Sequence, residues 1–234
     1  KLAEMHLSES NELIDSLLNL SSDPNARVRF QLLCTLGFID TDEAAQVAED
    51  LLFQDLEDEW VQIAALSAPS SQNTNLLKTV LERFDKKVPA YGSLIQRLTA
   101  MITANESNGE TERLQEAAIN LSGKNGWEAP VLDGIAEGIK RNEENEKTLS
   151  NYMDQIVLAF FEHPDSDLRK SALNLIKTMN FKEDALLESS MEKAMAIAAN
   201  PSLPETRRAE GLRFLPQGDV APYAEELKSM IATT

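Results

Sequence analysis

The stretch that decides the fold is Asp23-Pro24-Asn25-Ala26-Arg27-Val28-Arg29-Phe30-Gln31-Leu32-Leu33-Cys34-Thr35-Leu36-Gly37. Apolar residues at positions 28, 32, 33 and 36 are spaced i, i+4, i+5 and i+8, which places them on one face of an α-helix. Asp23 and Pro24 are typical of a helix start, because a carboxylate caps free N–H groups and Pro suits the first helical position. Gly37 is placed to end the helix in a left-handed cap.

The same apolar stripe returns five more times along the chain. Its first position recurs after 33, 33, 37, 37 and 39 residues, at Val61, Leu94, Val131, Leu168 and Arg207. The last copy, completed by Gly211, Leu212 and Leu215, is imperfect because an arginine replaces the first apolar residue. Six copies at a nearly even period indicate a helical repeat protein.

A second helical segment follows each stripe, so that each unit is a pair of helices. These segments are predicted at 43–53, 74–84, 110–121, 146–161, 185–199 and 222–231, with one further helix at 10–20. A single amphipathic helix cannot bury its apolar face alone, whereas stacked pairs share a continuous core. The sequence therefore predicts an all-α fold, a HEAT/ARM-like α-solenoid of about six stacked helix pairs, forming one domain over residues 1–234.

Composition narrows the possible functions. The chain carries 39 acidic and 22 basic residues, a net charge of −17, and 42% of its residues are hydrophobic. Such a surface repels phosphate backbones, so we expect no nucleic-acid binding. No run approaches the roughly 20 apolar residues that span a bilayer, so we expect no direct membrane insertion. The acidity fits either a solvated outer face or a concave surface that binds a basic partner.

Three arginines occupy the same place in their units. Arg29, Arg169 and Arg208 each follow the first stripe position, with acidic residues a few positions upstream. One interpretation is a structural ladder, in which each arginine reaches a carboxylate or the carbonyl ends of the adjacent unit. The other is a row of arginines that binds a substrate. We prefer the ladder, because nothing else in the sequence points to a substrate.

Two tryptophans and two glycines stand out for packing. Trp60 replaces a small turn residue before Val61 and is expected to fill the gap between the first two units, with stacking on a ligand as the alternative. Trp60 and Trp127 are also candidates for surface contact. Gly134 and Gly138 lie four residues apart in a predicted helix, and we expect them to permit close helix packing.

Residues that could perform chemistry are few. Cys34 is the only cysteine and lies within the first stripe, which is typical of a structural thiol. His163 stands near Asp165 and Asp167, but metal-binding spacings such as His-x3-His are absent. We therefore predict no catalytic residue, no metal site and no cofactor in this chain.

The motifs resemble those of one family. The stretch 23–37, the segments that begin at Asp58 and Leu168, and the Trp127…Gly138 element are similar to the HEAT-repeat segment of large bacterial membrane-bound dehydrogenases. In that family a sugar-dehydrogenase-like β-propeller precedes the HEAT repeats and a c-type cytochrome domain follows them. The resemblance implies a periplasmic or cell-envelope location. This chain has no Cys-x-x-Cys-His haem site, so no redox residue carries over.

The expected function is that of a surface rather than a reaction. We predict a non-catalytic scaffold or inter-domain spacer that contacts a protein, or neighbouring domains of the same polypeptide, through the second helix of each pair. The chain lacks an initiator Met and a polar capping repeat, so we expect it to be part of a longer polypeptide. The alternative is an enzyme-associated module that helps shape a substrate or cofactor site of a neighbouring dehydrogenase domain. A HEAT-like DNA glycosylase is disfavoured by the net charge.

Overall fold

The computed structural model describes residues 6–7, 10–67, 73–105, 109–119, 125–142, 150–179, 181 and 184–232, and the structural statements below concern those ranges. Within them the chain forms helices and no strand. The α-helices are α1 Asn11–Leu18, α2 Ala26–Leu36, α3 Asp42–Gln54, α4 Glu59–Leu66, α5 Asn73–Glu82, α6 Pro89–Ala104, α7 Glu110–Ile119, α8 Glu128–Arg141, α9 Met153–Glu162, α10 Ser166–Thr178, α11 Asp184–Ala199, α12 Glu205–Phe214 and α13 Ala224–Ala232.

These helices alternate along the chain. The six stripes begin on α2, α4, α6, α8, α10 and α12, which we call the first helices. The last position of the second stripe, Pro69, lies outside the described residues, and that of the sixth, Leu215, directly follows α12. The second helices are α3, α5, α7, α9, α11 and α13, together with α1. Helices pack against their neighbours in sequence order, and the prediction of an all-α, solenoid architecture is confirmed. Every helix in the described ranges is too short or too polar to cross a lipid bilayer.

Helix starts differ in detail from the prediction. Helix α2 begins at Ala26 rather than at Pro24, and its N-cap is Asn25, whose side chain accepts a hydrogen bond from the Arg27 N–H at 3.0 Å. The Asp23 carboxylate accepts the Asn25 N–H at 2.8 Å. The two side chains therefore form consecutive Asx-type turns ahead of the helix, and Asp23 organises the approach to the helix instead of capping it.

The predicted left-handed cap at Gly37 is wrong. Gly37 has φ −60° and ψ −13°, which is right-handed helical backbone. The helix tightens here into i→i+3 hydrogen bonds, from Phe38 N–H to the Thr35 carbonyl at 3.1 Å and from Ile39 N–H to the Leu36 carbonyl at 3.0 Å. This tighter turn buries Ile39 in the core, which a left-handed residue at 37 would turn away.

The stripes form most of the core, with exceptions at the half-buried Val28 and in the last unit. Their positions on α6, α8 and α10 are buried, as the residues Leu94, Leu98, Val131, Ile135, Leu168 and Ala172 illustrate. On α12 the predicted position Leu212 is 40% exposed, whereas Phe214 is fully buried. The reason is that the Phe214 ring stacks on Phe160 of α9, with ring centroids 5.2 Å apart, which fixes the face that α12 buries.

The first helices approach each other most closely between α6 and α8. A Cβ atom on Gly134 would lie 2.6 Å from the Gln96 carbonyl oxygen and from the Thr99 Cβ. A Cβ atom on Gly138 would lie 2.5 Å from the Thr103 Cβ. Real Cβ atoms do not approach so closely, so the two glycines are what allow α6 and α8 to touch along their backbones, as the sequence predicts.

Substitution of Gly138 by Ala tests this contact. We expect Gly138→Ala to lower the free energy of unfolding by about 1–3 kcal/mol, because the new methyl group meets the Thr103 side chain and the Ala100 carbonyl. The measurement is urea unfolding followed by circular dichroism. The control is Gly92→Ala on α6, where the new Cβ would lie at an ordinary 3.6 Å from Pro130. Equal losses in the two variants would contradict this assignment.

Candidate functional site

Arg29 bridges the first two units. Its side chain is largely buried, and Nη1 donates to the main-chain carbonyls of Asp23 at 3.0 Å and Pro24 at 3.4 Å. Its Nη2 donates to the Asp55 carboxylate at 2.8 Å. One guanidinium therefore ties the turn before α2 to the turn before α4, with charge-assisted hydrogen bonds to an acid that lies downstream.

Arg169 repeats this geometry in the fifth unit. Its Nη1 donates to the carbonyls of His163 at 2.7 Å and Pro164 at 2.9 Å, which again lie six and five residues before the arginine. Its Nε and Nη2 donate to the two carboxylate oxygens of Glu210 on α12, at 2.8 and 3.0 Å. Glu210 is only 3% exposed, so this bidentate pair joins α10 to α12 inside the protein.

In the last unit, two arginines share the carbonyl and carboxylate contacts that a single arginine makes in the first and fifth units. Arg208, the predicted member of the row, donates through Nε to the Ala198 carbonyl at 3.0 Å, near the end of α11. Arg207 donates to the Glu210 carboxylate at 2.6 Å and to the Phe161 carbonyl at 2.5 Å. The sequence pattern predicts neither Arg207 nor Glu210 as a partner, although Arg207 stands at a stripe position that is apolar in the other units.

Gln62 takes the corresponding place on α4. It is buried, and its Nε2 donates to the Leu56 carbonyl at 2.9 Å and to the Ala90 carbonyl of the next unit at 3.2 Å. Leu56 is again six residues upstream, as in the arginine units. Gln62 was also missed, although its position one residue after Val61 marks it. We call Arg29, Gln62, Arg169 and Arg208 the polar ladder.

The tryptophans lie in different surroundings. Trp60 does not fill the gap between the first two units: it is 69% exposed on the first turn of α4. The buried residues Val61 and Ala65 occupy that interface instead, because they point inward while Trp60 points away. Trp127 is partly buried against the core at the start of α8. That either ring contacts a partner stays a prediction.

One ring nitrogen of His163 is already engaged in a hydrogen bond. Its Nδ1 accepts a hydrogen bond from the Asp165 N–H at 3.1 Å, so the proton of the neutral ring lies on Nε2. A protonated Nε2 has no lone pair for a metal ion. No group of three metal-ligating side chains occurs among the described residues. Cys34, expected to be structural, packs against the core with part of its surface exposed.

The described helices segregate charge. The second helices carry 17 acidic and 4 basic residues. The first helices carry 7 acidic and 11 basic residues. Most acids on the second helices are exposed, among them Asp42, Asp50, Asp154, Glu188 and Glu192. We call this surface the acidic face. The net negative charge of the protein is therefore concentrated on one set of helices.

Comparisons with protein-family models, curated proteins and solved structures each give no significant match. The class that the geometry defines is an α-solenoid with a polar ladder between units and an acidic face. The resemblance to the HEAT segment of membrane-bound dehydrogenases stays an expectation.

Removal of Arg169 tests the structural role of the ladder. We expect Arg169→Leu to lower the free energy of unfolding by about 3–5 kcal/mol, because it leaves the buried Glu210 carboxylate with fewer partners. The matched control is Lys170→Leu, whose exposed ion pair with Asp167 contributes at most about 1 kcal/mol. Denaturant unfolding of both variants measures the difference. Wild-type stability in Arg169→Leu would contradict a structural role.

Glu210 makes part of this stability depend on pH. Burial raises the pKa of Glu210, but hydrogen bonds and positive charge from Arg169 and Arg207 outweigh it, so the pKa falls below the ordinary 4.5. A lowered pKa stabilises the folded state above the ordinary value, and this contribution is lost as pH falls through the lowered pKa. We expect the stability gap between wild type and Glu210→Gln to be constant near neutral pH and to narrow below 4.5. A gap that does not change in acid would contradict this.

Proposed function

We propose that this chain is a non-catalytic scaffold module that binds a basic protein segment through its acidic face. The observation that carries the proposal is the segregation of charge, with 17 acids against 4 bases on the second helices. A surface of one sign attracts a partner of the opposite sign and speeds its association. The partner is a separate protein or a neighbouring domain of the same polypeptide.

Four arginines of the first helices are bound inside the protein and do not neutralise the acidic face. Arg29, Arg169, Arg207 and Arg208 are held by carbonyls and carboxylates of their own chain. Their charge acts within the interfaces between units and is only partly available at the surface. The acids of the second helices mostly lack such partners among the described ion pairs, and they remain exposed to solvent.

The geometry of a repeat array also suits this function. Stacked units present their second helices side by side, so a long partner segment can contact several units at once. Contacts of this kind accumulate over an extended surface, and no single deep site is needed. The resemblance to a HEAT segment that spaces or docks other domains is in keeping with such a role.

Neutralisation of the acidic face tests the proposal. The variant is Asp50→Asn, Glu188→Gln and Glu192→Gln combined, and the probe is a fluorescently labelled peptide of alternating Lys and Gly. We expect the variant to bind the peptide at least about threefold more weakly at low ionic strength, because three exposed charges are lost from one surface. Fluorescence anisotropy gives the affinity, and added salt should reduce it.

The matched control neutralises three acids on the first helices. It combines Glu59→Gln, Asp167→Asn and Glu205→Gln, which changes the net charge by the same amount. Both variants remove three negative charges, and the control in addition loses the ion pairs of Glu59 with Arg97 and of Asp167 with Lys170. Equal weakening in both would show that net charge alone attracts the peptide and would overturn the acidic face as the binding surface.

A further inference from the structure

A cleft opens between the first two helix pairs. It has a volume of about 450 Å³, within the range of sites that hold an inserted side chain or a small ligand. Its lining comes from α2, α3, α4 and α5 and mixes polar with apolar side chains, over a floor that includes Leu36 and Leu52. The floor is buried, and the apolar side chains that a ligand can reach are the half-buried Ala45, Ala48 and Leu76. An apolar group packed on these three side chains would lose contact with water on that side.

One buried polar group lines this cleft. Asn73, the first residue of α5, is 2% exposed, and its Nδ2 has no hydrogen-bond partner among the described residues. An amide donor that is buried without an acceptor costs free energy, which a bound acceptor would recover. A main-chain carbonyl of a docked segment is an acceptor of the right kind, because its oxygen accepts from an amide N–H.

The rim of the cleft is acidic. Asp40, Asp42 and Glu49 line it, and no basic side chain does so among the described lining residues. Helix α3 carries four acids and no base, so the rim is continuous with the acidic face. A ligand with a negative charge would be repelled here. A positive charge next to the inserted group would be attracted by the carboxylates.

We propose that this cleft is the anchor pocket for the basic partner segment. The occupant is a polypeptide with one large aliphatic side chain flanked by Lys or Arg. The aliphatic side chain packs on Ala48 and Leu76 at the mouth of the cleft. A main-chain carbonyl accepts from Asn73, and the flanking cations lie near Asp40 and Asp42. This proposal rests on the proposed function. It adds that the basic segment must contain one apolar side chain that serves as an anchor.

Short peptides test the anchor directly. The probes are labelled Lys-Lys-Leu-Lys-Lys and Lys-Lys-Ala-Lys-Lys, which share charge and length. Burial of a leucine side chain is worth about 1.5–3 kcal/mol, so we expect the Leu peptide to bind roughly ten to a hundred times more tightly. Equal affinities for the two peptides would overturn the anchor pocket. Free leucinamide binding as tightly as the Leu peptide would overturn a polypeptide as the occupant.

Variants that fill the cleft provide a second test of the anchor pocket. Ala48 on α3 lines the cleft, and Ala48→Phe is expected to remove the preference for Leu and leave the weaker binding of the Ala peptide. The matched control is Ala196→Phe on α11, an exposed alanine outside the cleft, which should keep the preference. If circular dichroism shows that Ala48→Phe is unfolded, Ala45→Leu fills the same cleft with a smaller side chain. A preference that survives filling would overturn the proposal.

The outcomes separate the two proposals. Salt-sensitive binding of the Ala peptide without a preference for Leu supports the acidic face and overturns the anchor pocket. The opposite result is a preference for Leu that disappears when the cleft is filled, with binding that does not depend on salt. It would support the cleft as an apolar site and overturn the acidic face as the surface that attracts the partner. The absence of binding by either peptide overturns both.

Discussion

A backbone contact between α6 and α8 holds the middle of the array together. Gly134 and Gly138 leave no room for a side chain against Thr99 and Thr103, so the two helices meet at backbone distance. The neighbouring α10 is attached to the same helix by Asp133, which accepts from Ser171 at 2.9 Å. The middle of the solenoid is therefore joined both by a close backbone contact and by hydrogen bonds to Asp133.

The sequence predicts the helices well because their signal is local. Each stripe is complete within nine residues and needs no knowledge of the partner helix. The errors arise where a second element decides the outcome. Phe214 rather than Leu212 is buried because of Phe160, and Trp60 is exposed because Val61 and Ala65 occupy the interface.

The polar ladder was predictable in position but not in partners. The spacing identifies Arg29 and Arg169, whereas their carboxylates belong to Asp55 and Glu210, which are 26 and 41 residues further along. Those distances depend on how one unit is rotated against the next, and a repeat period contains no information on rotation. The acidic face could be read from the sequence once the second helices were assigned, since it depends only on which residues lie in them. The cleft with Asn73 could not, because it is a space left between two pairs.

The ladder also decides how far a local defect spreads. Arg29 and Arg169 each fasten one unit only to the unit beside it. Loss of one of these contacts therefore loosens a single joint, while the other joints of the array keep their own contacts.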